Sequence, residues 1–216
     1  SAVAAAVDFP NRPIRLVVNF APGGTGDIIA RGVAQRLTET FGQAVIVDNR
    51  GGAGGVVGAN IVAKSPPDGY TLLLGSNGAL TIAPGMGALP YDSMRDFIAV
   101  GLVANSQFIL VVHPSVPARN VKELIALAKE KPRLLSYGSA GTGSVAHLSA
   151  ELFKSLAGID MVHVPYKGSG PMTVDLLAGH VQLSFPGISS LVPYVKNGNV
   201  RALAVSGFTR SAVLPD

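Results

Sequence analysis

The sequence predicts an α/β protein built from two similar αβ halves, and three observations carry that reading. Runs rich in β-formers alternate with helical patterns along most of the chain. The same short loop, Gly-Thr-Gly between a strand and a helix, occurs at Gly24-Thr-Gly26 and again at Gly141-Thr-Gly143. The 216 residues are 48% hydrophobic and only 14% charged, which suits compact cores and argues against both disorder and a highly charged nucleic-acid scaffold.

Residues 14–20 (Ile-Arg-Leu-Val-Val-Asn-Phe) form a β-rich run that ends in Ala21-Pro-Gly-Gly-Thr-Gly-Asp27. A helix is predicted next, with Ile28, Ile29, Val33, Leu37 and Phe41 on one side. Residues 44–47 make a short strand, and Arg50-Gly-Gly-Ala-Gly-Gly55 leads into a second helix that runs to Lys64. Pro66-Pro-Asp-Gly69 is a turn and residues 70–74 a buried strand, so the sheet is expected to be parallel in large part. Two apolar runs, 99–104 and 108–112, then follow one another with no helix between them. That break in alternation marks a crossing between a first domain, residues 8–104, and a second, residues 105–205.

In the second half a charged helix at 121–131 precedes a strand at 134–139 and the loop Ala140-Gly-Thr-Gly-Ser144. The following helix is predicted to set Val145, Leu148, Leu152, Leu156 and Ile159 on one face. Strands at 161–164, 181–185 and 201–205 and a helix at 171–178 complete the set.

Several function classes fall away on composition. Seventeen Lys and Arg against thirteen Asp and Glu give a net charge of +4, with the basic residues scattered. The densest group, Arg119, Lys122, Lys129, Lys131 and Arg133, is interrupted by Glu123 and Glu130 and reads as a solvated helix face, so no nucleic-acid partner is expected. With no cysteine there is no disulfide, thiolate nucleophile or Cys-ligated zinc. His113, His147, His163 and His180 lack metal-ligand spacing, so no metal is expected. The apolar run 98–112 is broken by Asn105, Ser106 and Gln107, short of the ~20 residues that cross a bilayer. Residues 1–6, Ser-Ala-Val-Ala-Ala-Ala, resemble the cleavage region of a secretory signal, and a cloning scar would read the same.

The glycine loops carry the chemistry. A helix start exposes N–H groups without intrahelical partners and a partial positive charge, so a glycine approach there makes a seat for a carboxylate or phosphate. The phosphate-loop motif needs a Lys and a hydroxyl after the last glycine, whereas Asp27 and Ser144 follow here. The dinucleotide fingerprint fails at the first loop because Ile29 fills its third small position. It fits the second loosely as Gly141-x-Gly143-x-x-Ala146, but Asp160 stands before the next strand, at the wrong end for a ribose. Ser144, His147 and Asp175 are the residue types of nucleophilic catalysis, without the glycine-flanked serine of a nucleophile elbow. A nicotinamide-dependent oxidoreductase or a serine hydrolase using residues 141–147 therefore stands as the alternative to a binding protein. A helix start contributes about 0.3–2 kcal/mol, and each hydrogen bond to a charged group about 1.5–3 kcal/mol. Micromolar affinity needs about 8 kcal/mol net, so both loops must converge on one ligand.

Taken in order, Phe20-Ala-Pro-Gly-Gly-Thr-Gly-Asp27 with Ala30-Arg31, Ser65-Pro-Pro-Asp-Gly-Tyr-Thr-Leu-Leu73, Leu89-Pro-Tyr-Asp92, Tyr137-Gly-Ser139 with Gly143-Ser144 and His147-Leu148, and Val164-Pro-Tyr-Lys-Gly168 with Asp175-Leu-Leu177 resemble the Bug family. These are periplasmic solute-binding receptors of tripartite tricarboxylate transporters. The resemblance implies a type II periplasmic-binding-protein-like α/β fold, two αβ domains around a ligand cleft. It implies a small carboxylate ligand (di- or tricarboxylate, acidic amino acid or aromatic acid), membrane transporter subunits as partners, a monomer in the periplasm, no cofactor and no catalytic residue. Carried onto this sequence, the ligand-binding residues are Pro22, Gly23, Gly24 and Asp27 from the first loop and Ser139, Thr142, Gly143, Ser144 and His147 from the second. Ser76, Asn77, Tyr166 and Lys167 join them by position near strand ends. Ser144→Ala is expected to weaken binding while changing stability little. Ala83-Pro-Gly-Met86 departs from the Asn-Pro-small-Leu usual in the family, so contacts from that loop are not carried over. Members also continue past residues 210–216 with a stretch that completes the first domain. The resemblance thus implies a truncated first domain here, with residues 206–216 turning back toward it.

Overall fold

The structure is a computed structural model and describes residues 9–214. The six residues read as a cleavage region lie outside the described residues. Among the described residues eight strands form two sheets.

The first sheet has three strands, β1 (Ile14–Val18), β2 (Val45–Asn49) and β3 (Thr71–Leu74), ordered β2-β1-β3 and wholly parallel. Parallel neighbours need crossovers, and helices α1 (Thr25–Phe41) and α2 (Val56–Ala63) supply them. Ile14, Leu16 and Val18 of the central strand pack with Ala30 and Ala34 of α1 and with Val45. The deepest contacts of α1 are thus its alanines, with Val33 and Leu37 of the predicted face packed half-buried on the same core, while Ile28 and Phe41, placed with them by the sequence pattern, are 48% and 40% exposed. β3 is an edge strand and only half-buried, where a buried strand was expected. The chain then forms a short π-helical turn over Gly78–Ile82 and helix α3 (Ala83–Met86). Tyr91, whose hydroxyl donates to the Ala79 carbonyl at 2.7 Å, fastens that turn. Beyond it the apolar run 98–103 is irregular and open to solvent.

The second sheet runs β6-β5-β7-β4-β8. Its strands are β4 (Ile109–Val112), β5 (Ser136–Ser139), β6 (Val162–Pro165), β7 (Leu183–Ser184) and β8 (Arg201–Val205). β5 pairs parallel with β6 and β7, whereas β4 is antiparallel to β7 and β8, so the parallel expectation holds for only half of this sheet. Period-two alternation in β4 sends Leu110 and Val112 to one core and Ile109 and Val111 to the other. Helices α4 (Val121–Glu130) and α5 (Val145–Ala157) bury Leu124, Ala128 and Ala150 in the first of these cores. Helices α6 (Ser169–Leu177) and α7 (Val192–Lys196) cover the second, where Met172 and Leu176 are fully buried.

Of the predicted apolar face of α5, Ile159 just beyond the helix is buried in the core, but its leucines are not. Leu148, Leu152 and Leu156 are 37%, 60% and 80% exposed, and the helix turns Ala146 and Ala150 inward instead. Small residues let the helix axis approach the sheet, and the row of leucines is left outside. Residues 206–214 run beside the second sheet rather than the first: the Ser206 N–H donates to the Phe108 carbonyl at 2.8 Å, and Leu214 packs on the core of Met172 and Leu176.

Candidate functional site

The two glycine loops face one another across the gap between the sheets. The first connects β1 to α1, whose N-cap Gly24 has extended backbone and no side-chain cap. Asp27 organises this loop from below. Its Oδ2 accepts from the Gly23 N–H at 3.1 Å and from Arg31 Nε at 3.0 Å. Burial opposes its charge, but the hydrogen bonds from Arg31 and Gly23, the nearby Asn49 amide and the Arg31 charge outweigh it and hold the carboxyl below its ordinary value.

The second loop connects β5 to α5. Ser144 is its N-cap, with Oγ accepting from the His147 N–H at 3.3 Å. His147 returns the support, its Nδ1 accepting from the Gly143 N–H at 3.3 Å. Beneath, Ser139 Oγ accepts from the Gly141 N–H at 3.1 Å and pairs with His163 Nε2 at 2.7 Å. The His163 ring stacks on both Tyr137 and His147, at centroid distances of 4.8 and 4.3 Å. Burial, and then the neighbouring His147 charge, lower the His163 pKa to about 4, so the stack is neutral near pH 7. Tyr137 in turn donates to Glu151, which also takes Lys154.

Between the loops lies a cavity of about 350 Å³. Gly24, Thr25 and Gly26 line it from the start of α1, Ser144, Val145 and Ala146 from the start of α5, and Ser169 from the start of α6. Three helix N-termini thus open onto one space, and first-turn N–H groups have no carbonyl four residues back to bond. Asn19, Ser76 and Asn77 complete one polar wall, with the Asn19 amide donating to Ser76 Oγ at 3.1 Å. Among the described residues none that lines this cavity is ionisable. What it offers an anion is therefore backbone polarity and neutral hydroxyl and amide groups, in low-dielectric surroundings where they count for more than in water.

The residues expected from sequence fall into three groups. Gly24, Ser76, Asn77 and Ser144 line the cavity. Thr142 and Gly143 border a smaller neighbouring space of about 180 Å³, together with Gly54, Gly78 and Met86. Pro22, Gly23, Asp27, Ser139, His147, Tyr166 and Lys167 line neither and stand behind or beside the loops. Tyr166 donates to Asp175 Oδ2 at 2.5 Å, and the Lys167 carbonyl accepts from the Ala21 N–H at 3.0 Å, a main-chain bond from one lobe to the other. The Ala83–Met86 segment does approach the second loop: a side chain at Gly143 would meet Met86 Sδ at 3.0 Å. Ser144 has a capping role that the sequence reading lacked, so its loss bears on stability as well as on the cavity. Of the polar lining, Asn19, Thr25, Asn105, Ser106 and Ser169 were missed. For Ser169 the signal was present, since Gly168 and Gly170 flank a third helix start just as glycines precede the other two.

Among the described residues there is no group of three or more His, Asp and Glu able to hold a metal ion, and no helix long and apolar enough to cross a membrane. Comparison with known proteins gives a consistent picture. Residues 29–216 match the tripartite tricarboxylate transporter family receptor. The chain is 40% identical over 210 residues to protein BugT of Bordetella pertussis, covering 96% of this chain and 64% of that protein. It therefore spans a little under two thirds of that relative's length. Rpa4515 of R. palustris, whose structure was determined with adipate, is 40% identical with a TM-score of 0.87, over 94% of this chain and 68% of that one. MatC of Rhodopseudomonas palustris, with bound malate, is 32% identical with a TM-score of 0.92, over 96% and 71%.

Proposed function

The chain belongs to the tripartite tricarboxylate transporter receptor family, and on that premise we propose that it captures a small carboxylate between its two lobes and delivers it, unchanged, to membrane subunits of a transporter. The observation that carries this reading is the cavity between the lobes, onto which three helix starts open with no ionisable side chain in the lining among the described residues. Such a seat fits carboxylates, whose charge can be shared among main-chain N–H groups. Adipate and malate in the related structures are acids of that class. The chain acts in the periplasm, as a monomer and without a cofactor. Closure works by population shift, the ligand binding the closed arrangement better than the open one.

Binding rather than turnover is supported by how the hydroxyls near the loops are used. Ser144 caps α5, and Ser139, fully buried, holds the Gly141 N–H. Calorimetry against adipate, malate, citrate, glutamate and benzoate tests the proposal, with mass spectrometry of the recovered acid. Saturable binding of at least one acid, recovered intact, is the expected result. No binding across the panel would overturn the receptor reading, and a consumed acid would favour an enzyme.

A further inference from the structure

The lobes approach so closely that several glycines along the seam, Gly51, Gly54 and Gly168 among them, have no room for a side chain, and at Gly170 and Gly187 the backbone is ordinary and every near obstacle comes from the opposite lobe. Gly170 lies in the first turn of α6, outside the left-handed region of backbone space, so alanine would suit its local conformation better than glycine does. Yet a Cβ there would stand 1.8 Å from the Pro22 carbonyl oxygen and 3.4 Å from Gly23 Cα, both in the first loop. Gly187 has φ −63° and ψ 136°, which any residue adopts. A Cβ on it would stand 2.6 Å from Thr25 Oγ1 and 3.1 Å from Thr25 Cβ, at the start of α1. The three nearest atoms at each position all belong to the other lobe. Neither glycine is thus explained by its own element. Hydrogen bonds mark the same seam, from the Ala21 N–H to the Lys167 carbonyl at 3.0 Å and from Thr25 Oγ1 to the Gly187 carbonyl at 3.2 Å.

We propose that Gly170 and Gly187 are positioning residues for ligand capture: the side chains they lack set the distance of closest approach between the lobes, and so allow the starts of α1, α5 and α6 to hold one ligand together. The proposal rests on the capture reading above. Because the close contacts are protein on protein, they limit closure whether or not an acid is bound.

The chain has no cysteine, so Lys64→Cys and Lys129→Cys, exposed positions on the first and second lobes, give a unique pair of spin-label sites. Lobe separation is read by pulsed electron resonance in the parent, in Gly170→Ala and in Gly187→Ala, each with and without adipate. Both variants are expected to shift toward longer separations in both conditions. If the closed fraction falls tenfold, the apparent Kd for a bound acid rises about tenfold. The ligand-free thermal midpoint of Gly170→Ala should not fall, since alanine favours the helix. Thr25→Ala added to Gly187→Ala removes the Oγ1 obstacle and should return the separation toward that of the parent, which a merely structural defect would not do. Separations equal to the parent's in both variants, or a lowered midpoint without any change in separation, would overturn the proposal. If no acid of the panel binds the parent while the separations still shift, the capture reading falls and the spacing role stands.

Discussion

Ser144→Ala offers a way to separate what a residue does for the fold from what it does for the ligand, because the molecule contains a matched control. Ser144 caps α5 inside the cavity lining, with Oγ 3.3 Å from the His147 N–H. Asn120 caps α4 outside that lining, with Oδ1 2.9 Å from the Glu123 N–H, and Glu123 reaches back to the Arg119 N–H. Removing a cap of this kind costs about 0.5–2 kcal/mol. The longer bond puts Ser144→Ala toward the low end, and Asn120→Ala should cost about 1 kcal/mol. In a chain of this length that is a drop in Tm of about 2–4 °C per kcal/mol. The affinities should diverge. A hydrogen bond from the Ser144 hydroxyl to a carboxylate nets about 1.5–3 kcal/mol, or roughly ten- to a hundredfold in Kd. Asn120→Ala should leave Kd unchanged. Thermal melts and calorimetry on both variants decide it. If Ser144→Ala weakens binding no more than Asn120→Ala does, within a factor of about two, Ser144 is a cap only and leaves the site.

Three further outcomes follow from the same geometry. Because none of the described residues lining the cavity is ionisable, Kd for a fully ionised dicarboxylate should be flat between about pH 7 and 9; a step in calorimetric titrations there would implicate an ionising protein group. His163, lowered to about 4 by burial and by His147, takes its proton first in the unfolded chain, so its contribution to stability is complete above about pH 6.5 and is lost as pH falls toward 4. Urea midpoints of His163→Gln should therefore fall less steeply through that window than the parent's, and equal slopes would refute the assignment. For Asp27, the asparagine variant keeps an acceptor for the Gly23 N–H while alanine does not, and the pair with Arg31, whose side chain is 59% exposed, adds less than about 1 kcal/mol. Calorimetry should thus show Asp27→Ala losing much more affinity than Asp27→Asn, and equal losses would assign the effect to the charge.

The order of elements was legible in the sequence because turn chemistry and β-branched runs are local. Gly24 and Ser144, which line the cavity, were legible because glycine loops ahead of helices are a local signal too, and Ser76 and Asn77, which also line it, because they follow the end of a strand. What escaped was the choice of buried face. In α5 the spacing of Leu148, Leu152 and Leu156 is as regular as that of Ala146 and Ala150, and only the nearness of the helix to its sheet decides for the alanines. In α1 the pattern found Val33 and Leu37, which pack on the core, but included Ile28 and Phe41, which lie outside it, and passed over Ala30 and Ala34. Also out of reach were Gly170 and Gly187, whose neighbours lie far away in sequence, at Pro22 and Thr25. Asn19 follows a strand of Ile, Leu and Val and carries no motif of its own. Its burial and its bond to Ser76 appear only once β1 and β3 lie side by side.

On the capture reading, a charge seat made of main chain withstands most single substitutions at the helix starts. Every residue type except proline brings an N–H to a helix start, so drift at Thr25, Val145 or Ser169 alters the walls around a bound acid while the attraction for its negative end persists. In the proposed receptor, changes in the walls therefore alter which acid fits more readily than whether an anion is held at all.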